Sequence, residues 1–195
     1  MLRNEEKVWE ISGIEFVEPI REEISREIGK KISKFGKKYE RLKPEVVFIV
    51  DLENRSLSTQ IRSIFVYGEY KKLARNIPQI KVYCPRCKGK GCVECKGEGK
   101  IFKTSVQEII EKPFLKVLKA KRSKFHSSGK TLLGIRCLDY KPFVIEFVKP
   151  RKRKVDLKKI EEEINKSKKV KVRGLKILED GKSFVRKLKF ERNDI

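Results

Sequence analysis

The feature that most constrains how this chain can fold is a tandem cysteine repeat from Cys84 to Gly99. It reads CPRCKGKGCVECKGEG, two consecutive copies of the pattern Cys-x-x-Cys-x-Gly-x-Gly, and it holds four of the chain's five cysteines. Two Cys-x-x-Cys pairs supply the four thiolates of a structural zinc site, and cysteines this crowded favour a metal over disulfides. The glycines tolerate positive φ, so the backbone can turn its N–H groups towards the sulfurs. We therefore predict one structural zinc ion, without an open coordination position, held by Cys84, Cys87, Cys92 and Cys95.

The residues before the repeat predict a small α+β domain over residues 1–81, and the repeat itself lies in an insert over residues 82–101. Apolar residues recur at helical spacing after Pro19, with acidic residues early and lysines late. The predicted elements are a strand pair, or one strand with a bend at Gly13, over Val8–Val17, a helix from Ile20 to Phe35, a buried strand at Val46–Val50, a strand at Gln60–Tyr70 and one helical turn at Lys71–Arg75.

Residues 102–195 predict a second α+β region. Ser105 followed by Glu108 is a capping box that starts a helix, and Asp156 is the N-cap of another. Apolar runs predict strands, and the Asp180-Gly181 pair predicts a turn between the last two. The predicted strands are Val144–Val148, Val170–Leu178 and Phe184–Phe190.

The charge balance indicates a nucleic-acid partner. The chain has 50 Lys and Arg against 27 Asp and Glu, a net charge of +23, and such a field concentrates polyanions. The basic runs Lys149–Lys154 and Lys166–Arg173 neutralise phosphates in this interpretation, and are solvated faces in the alternative one. Exposed tyrosines stack on unpaired bases, whereas core tyrosines do not; the candidates are Tyr67, Tyr70 and Tyr83.

Neither a membrane span nor an export signal is apparent. No apolar run approaches the ~20 residues of a membrane-spanning helix. The N-terminus, MLRNEEKVWE, has acidic residues and lacks the hydrophobic stretch of a signal peptide. We therefore expect a cytoplasmic protein.

The stretch FHSSGKTLLGIRCLDYKPFVIEF contains residue types that are common in active sites, among them the chain's single histidine, His126. A phosphate-binding loop is excluded, because Lys124 stands where the first glycine of Gly-x4-Gly-Lys-[Ser/Thr] is needed. The serines next to His126 say nothing about a nucleophilic site, which requires an orienting carboxylate. We interpret His126 as a loop residue that faces solvent or RNA, and Cys137 as a small buried residue.

Three stretches of the chain carry a specific pattern: IFVYGEYKKLARNIPQIKVYCPRCKGKGCVECKGEGK, SVQEIIEKPFL, and KFHSSGK…IR…KPFVIEFVKPRKRKVDL. In these stretches the chain resembles the archaeal tRNA pseudouridine-54/55 synthase family, which couples a THUMP RNA-binding domain to a pseudouridine synthase domain. The resemblance covers roughly Val8 to Lys189. It implies an α+β fold made of a THUMP-like domain, the four-cysteine zinc insert and one half of a pseudouridine-synthase-like domain.

The same resemblance places a substitution at the family's catalytic position. Residues Gly129 to Arg136 align with the family motif Gly-Arg-Glu-Asp-Val-Asp-Val-Arg, whose first Asp attacks the target uridine. Leu132 stands at that Asp, and Gly134 stands at the second one. Asp139 is seven residues further on and does not reach the same place without a register change. We also expect the chain to lack the second half of the family's catalytic domain and its extra N-terminal segment.

Three functions are compatible with these observations. The first is a tRNA-binding protein derived from a tRNA pseudouridine synthase, with no catalytic residue of its own. The second is one half of a split synthase that is completed by a second chain. The third is a zinc-containing structural component of a ribonucleoprotein. For the first, the expected RNA contacts are Arg75, Lys130, Arg136, Lys149, Arg151, Lys152, Arg153 and Lys154.

Overall fold

The structure is a computed structural model that describes residues 19–129 and 131–190. The chain forms two compact units, with the division between Glu45 and Val46. The first unit contains helix α1, Ile20–Ser33, whose first turn is acidic and whose last turn carries Lys30 and Lys31. This charge order suits the helix dipole, and the predicted helix is confirmed. The strand pair predicted at residues 8–17 lies outside the described residues.

The second unit begins with a β-hairpin. Strands β1, Val46–Asp51, and β2, Ser56–Ile61, pair antiparallel in a two-stranded sheet of their own. The predicted strand at Val46–Val50 is therefore confirmed, but its predicted burial is wrong, since these side chains are 39% to 48% exposed. The apolar run indicated a central strand, whereas β1 has one polar neighbour, SLSTQI, instead of a place in the larger sheet.

The larger sheet has four antiparallel strands in the order β4-β5-β3-β6. Strand β3 comes before the cysteine repeat in the sequence, and yet it is hydrogen-bonded to strands on both sides that come after the repeat. The sheet therefore combines one strand from before residue 81 with three strands from after it. The strands are β3, Ile64–Lys72, β4, Arg122–Ser127, β5, Cys137–Val148, and β6, Val170–Leu178.

Two capped helices cover one face of this sheet. Helix α2, Val106–Leu118, begins at Ser105, whose Oγ accepts from Glu108 N at 3.1 Å and donates to the Glu108 carboxylate at 3.0 Å. Helix α3, Leu157–Asn165, begins at Asp156, whose Oδ1 accepts from Lys159 N at 3.2 Å. Both predicted caps are confirmed. The core that they form with the sheet includes Val66, Tyr70, Ile110, Phe114, Phe143, Phe147, Ile160, Ile164 and Val172.

The other face of the sheet is partly covered by helix α4, Gly181–Phe190. Val185 and Leu188 pack there on Phe65 and Val144. The strand predicted at Phe184–Phe190 is wrong, and the Asp180-Gly181 pair starts a helix, in which Asp180 Oδ1 accepts from Ser183 N at 3.3 Å. Gly181 is required at this position because a Cβ would lie 2.0 Å from the Phe65 ring.

Two smaller differences concern strand boundaries. The strand predicted at Gln60–Tyr70 is two strands, since β2 ends at Ile61 and β3 begins at Ile64. The helical turn predicted at Lys71–Arg75 is absent, because Lys71 and Lys72 continue β3 and pair with β6. No helix within residues 19–129 and 131–190 is both long and apolar enough to cross a membrane.

Candidate metal centre and motif segment

The four cysteines of the repeat converge on one point. Their sulfurs all lie within 4.8 Å of one another. The Sγ–Sγ distance is 3.8 Å between Cys84 and Cys92, and 3.7 Å both between Cys87 and Cys95 and between Cys92 and Cys95. A tetrahedral zinc site with zinc–sulfur bonds of about 2.3 Å has its sulfurs about 3.8 Å apart. The four thiols are thus spaced as the ligands of a single tetrahedral ion.

The two copies of the repeat share one backbone geometry. In each copy the residue after the second cysteine has positive φ, 49° at Lys88 and 50° at Lys96. The turn brings the N–H of the last glycine to the sulfur of that cysteine, with N···S distances of 3.2 Å from both Gly91 and Gly99. The repeat therefore supplies its own hydrogen-bond donors to ligand sulfurs, which stabilises their negative charge.

The glycines also allow the copies to pack against each other. A Cβ on Gly91 would lie 2.8 Å from the carbonyl oxygen of Gly97, and a Cβ on Gly99 would lie 2.5 Å from the carbonyl oxygen of Gly89. Contacts this short with backbone atoms mean that any side chain at these positions would force the two copies apart. Glycine is thus needed at these positions for close backbone approach as well as for turning.

The thiols differ in acidity in the absence of a metal. Burial opposes ionisation of Cys95, but hydrogen bonds from the N–H groups of Cys92 and Gly99 outweigh it and lower the pKa of its thiol to about 7. A backbone hydrogen bond from Cys95 favours ionisation of Cys92, but burial and three neighbouring thiols together raise its pKa to about 11. Thiols this close resist ionising together, and a divalent cation relieves that repulsion.

A short ladder attaches the metal centre to the rest of the second unit. Tyr83 and Lys100 form an isolated antiparallel bridge, and Cys84 N donates to Gly99 O at 3.0 Å. The Lys100 ammonium lies 2.8 Å from a carboxylate oxygen of Glu108 in α2. The insert is therefore anchored to the first turn of α2.

The second candidate site is the motif segment, residues 127–136, which includes Leu132. The Gln79 side chain binds it on both sides: Nε2 donates to Ser127 Oγ and, at 3.3 Å, to Gly129 O, while Oε1 accepts from Thr131 N at 3.1 Å. A single amide group thus fixes the path of the chain into the motif segment.

Lys72 fixes the next part of the motif segment. Its buried ammonium donates to the carbonyl oxygens of Leu132 and Leu133, at 2.8 Å and 2.9 Å, and Asn76 N donates to Leu133 O at 3.0 Å. Burial lowers the pKa of Lys72, and the two carbonyls replace part of its hydration. Sequence reasoning missed this lysine, although its place on the inward-facing side of β3, in line with Val66 and Tyr70, was a usable signal.

A cavity of about 500 Å³ lies beside the motif segment. Its walls are formed by Gln79, Phe125, His126, Leu132 and Leu188, among others, and no aspartate or glutamate of the described chain lines it. The Leu132 side chain itself is 66% exposed.

Two predictions for this region need correction. His126 does not lie in a loop, because it belongs to β4 and pairs with Val144. Cys137 is not a buried core residue: it is half-exposed at the start of β5, with its thiol 3.4 Å from Asp139 O. The strand predicted at Val144–Val148 is the end of β5, whose first residues, including Cys137, lie beyond a register shift.

The predicted RNA contacts form two groups at opposite ends of β5. Arg75 and Arg136 are exposed at one end, where the loop after β3 meets the motif segment. The run Lys149–Lys154 follows the other end; its basic side chains are exposed except that of Arg153, which is half-buried and donates to Arg62 O at 2.8 Å. At 3.3 Å per residue, β5 separates the groups by about 40 Å. Lys130 lies outside the described residues.

The three tyrosines proposed to stack on bases have different environments. Tyr70 is fully buried in the core, where burial raises its pKa, so its predicted stacking role is wrong. Tyr67 packs edge-on against Phe184, with the ring centroids 5.2 Å apart. Tyr83 is 57% exposed and has the Lys81 ammonium 5.0 Å from its ring centroid. Tyr83 thus remains the most accessible of the three.

Comparison with known proteins gives matches over most of the chain. The family described as "Pus10, C-terminal" matches residues 65–193, and the one described as "Pus10 THUMP domain, archaeal" matches residues 1–51. Similar proteins, each named tRNA pseudouridine synthase Pus10, include that of Thermofilum pendens, with 41% identity over 85% of this chain and 35% of its own length. The protein of Archaeoglobus fulgidus is 38% identical over 94% of this chain and 50% of its own length. The protein of Methanothrix thermoacetophila is 36% identical over 98% of this chain and 43% of its own length. The chain therefore spans half or less of the length of these relatives.

Proposed function

The chain belongs to the Pus10 family, and we propose that it is a tRNA-binding member that makes no pseudouridine by itself. The family relation supports tRNA as the ligand, because the relatives are named tRNA pseudouridine synthases. The net charge of +23 supports a polyanionic ligand independently of that relation.

The observation that carries the proposal is the absence of a carboxylate at the motif segment. Leu132 stands where the resemblance places the attacking aspartate, and the adjoining cavity has no Asp or Glu among its described lining residues. Covalent catalysis by a carboxylate requires that group within bonding reach of the target base. Asp139 is exposed on β5 and is not among the lining residues.

Pseudouridine-specific chemical mapping of unmodified tRNA tests this proposal. We expect the purified protein to bind tRNA and to convert none of its uridines to pseudouridine. The full-length Archaeoglobus fulgidus relative is the positive control. Leu132→Asp alone is expected to remain inactive, while addition of a polypeptide that covers the rest of the relatives' length tests a split enzyme. Conversion by the unaltered chain that is lost in Asp139→Asn contradicts the proposal and identifies Asp139 as the nucleophile.

The RNA that copurifies with the protein tests the choice of ligand. We expect tRNA, recognisable by its size, to be enriched over ribosomal RNA. Ribosomal RNA in its place supports the structural ribonucleoprotein component instead. Binding that is insensitive to salt, or that does not favour tRNA over an RNA duplex of equal length, contradicts tRNA recognition.

We further propose that the ion held by Cys84, Cys87, Cys92 and Cys95 is zinc. The sulfur spacing of 3.7 to 3.8 Å supports it, and an all-thiolate tetrahedral set is typical of structural zinc. The four ligands leave no coordination position for a substrate, so the ion stabilises the insert. Metal analysis of protein prepared without chelators is expected to give one zinc per chain, and a metal-free preparation that keeps the insert ordered contradicts this role.

A further inference from the structure

The end of the four-stranded sheet around Tyr140 is basic, and it includes Arg173, the last residue of the basic run Lys166–Arg173. Around Tyr140 two cations converge, with the Arg173 guanidinium carbon 3.8 Å and the Lys71 ammonium 4.4 Å from the ring centroid. The three residues come from neighbouring strands, β5, β3 and β6. Helix α4 covers a different part of the sheet, where it packs on Phe65 and Val144.

Two irregularities in the sheet place these side chains. Between β3 and β5, Tyr70 pairs with Lys141 and Lys72 with Cys137, so β5 has two more residues than β3 in this interval. Between β3 and β6 the register shifts by one residue beside Gly174, which has φ +66°. Bulges of this kind redirect side chains and are frequent at binding sites. Both irregularities lie close to Tyr140, the residue on which the two cations converge.

The Arg173 guanidinium is fixed with part of its donor edge unused. Its Nε donates to Glu69 Oε2 at 2.7 Å, and its plane is held near the Tyr140 ring. Within the described residues, neither its terminal NH2 groups nor the Lys71 ammonium donates a hydrogen bond. A guanidinium already held in place loses less side-chain entropy on binding a fork-shaped anion.

The local charge also favours an anion. Lys71, Arg173 and the Glu69 carboxylate that is ion-paired with Arg173 together carry a net charge of +1. Lys176 adds a further cation on β6, 4.7 Å from the Tyr67 ring. Like charges held this close repel each other, and a bound anion removes that repulsion.

We propose that Arg173 and Lys71, positioned on Tyr140, bind one backbone phosphate of RNA. The inference rests on the proposed RNA-binding function and deepens it by placing a phosphate contact on the sheet itself. A phosphodiester fits because its oxygens accept from the two terminal NH2 groups of one guanidinium in parallel. The contact positions the RNA and carries no sequence information.

Binding of tRNA and of an RNA duplex over a range of salt concentrations tests the site. Arg173→Gln is expected to weaken the binding of both RNAs about tenfold or more, which is the effect of losing one charge-assisted hydrogen-bonded pair. It should also lower the slope of log K against log salt by about 0.9, one phosphate contact. Lys158→Gln is the matched control, since it removes one exposed charge from α3, on the opposite face of the sheet, and it should change neither quantity appreciably.

A second variant separates geometry from charge. Arg173→Lys keeps the cation and its ion pair with Glu69 but loses the fork, so affinity should fall while the salt slope stays unchanged. If a thermal melt shows that Arg173→Gln impairs folding, Arg173→Lys becomes the deciding variant. Unchanged RNA affinity in Arg173→Lys then contradicts the phosphate site. Equal binding by Arg173→Gln and Lys158→Gln also overturns it. If the unaltered chain binds duplex as well as tRNA, tRNA recognition fails, but the loss in Arg173→Gln still measures the phosphate site.

Discussion

The metal centre can be tested by placing alanine at two glycines that share a backbone conformation but not the space around them. Gly99 has φ +68°, and a Cβ there would lie 2.5 Å from the carbonyl oxygen of Gly89. Gly97 has φ +80°, and a Cβ there meets nothing within 4 Å. Comparison of Gly99→Ala with Gly97→Ala therefore isolates the contact between the two copies of the repeat.

The expected magnitude follows from two contributions. Both variants carry the cost of a left-handed conformation for an L-residue, about 1–2 kcal/mol. Only Gly99→Ala adds a clash, since the 2.5 Å contact must lengthen beyond the 3.0 Å that real Cβ atoms keep. Overpacking that moves the surrounding structure costs about 1–3 kcal/mol. Because binding of the proposed zinc is expected to be coupled to folding of the insert, this difference should appear as about 5- to 150-fold in zinc affinity, at 1.4 kcal/mol per tenfold.

The assay is competition for zinc against a chromophoric chelator at fixed pH, with the unaltered protein as reference. Gly97→Ala should bind somewhat more weakly than the reference, and Gly99→Ala more weakly again. Helical circular dichroism should remain the same in all three proteins, because neither glycine lies in a helix. Equal affinities for the two variants refute the argument that the copies pack through Gly99 and Gly89.

Further predictions concern the core, the caps and the motif segment. Phe114→Ala should lower stability by about 3–5 kcal/mol in thermal unfolding, whereas Val117→Ala, at a position that is 39% exposed, should cost far less. Ser105→Ala should cost about 1 kcal/mol through the lost α2 cap. Acidification should release zinc, because protons compete with the metal for the thiolates, and a zinc indicator dye follows the release. Lys72→Met should speed hydrogen exchange at Asn76 N–H, which is bonded to the motif segment, and unchanged exchange contradicts the role of Lys72.

Local signals predicted the features that depend on neighbouring residues. The cysteine spacing predicted the converging thiols, and Ser105 and Asp156 predicted two helix starts. In each case the hydrogen-bond donor and its acceptor, or the ligands of one site, lie within about a dozen residues. Their geometry is therefore largely determined by the local chain.

Features that depend on distant pairing were not predictable in this way. The segment Phe184–Phe190 has apolar residues compatible with both strand and helix spacing, and its contact with Phe65 and Val144 on the sheet selects the helix. Likewise, the central place of β3 depends on strands much later in the chain, as the pairs Tyr67–Val144 and Tyr67–Lys176 show, which are 77 and 109 residues apart. A domain boundary drawn at the cysteine insert follows composition, whereas the sheet crosses that boundary.

The way the motif segment is held makes its fold independent of the side chain at position 132. Gln79 and Lys72 bind backbone atoms of the segment, at Gly129, Thr131, Leu132 and Leu133. These contacts do not depend on which side chain stands at position 132, and the Leu132 side chain is 66% exposed. An exposed substitution that leaves such contacts in place typically changes stability by less than about 0.5 kcal/mol. Leu132→Asp should therefore melt at the temperature of the unaltered chain, so that its activity or inactivity towards tRNA reports on chemistry and not on folding.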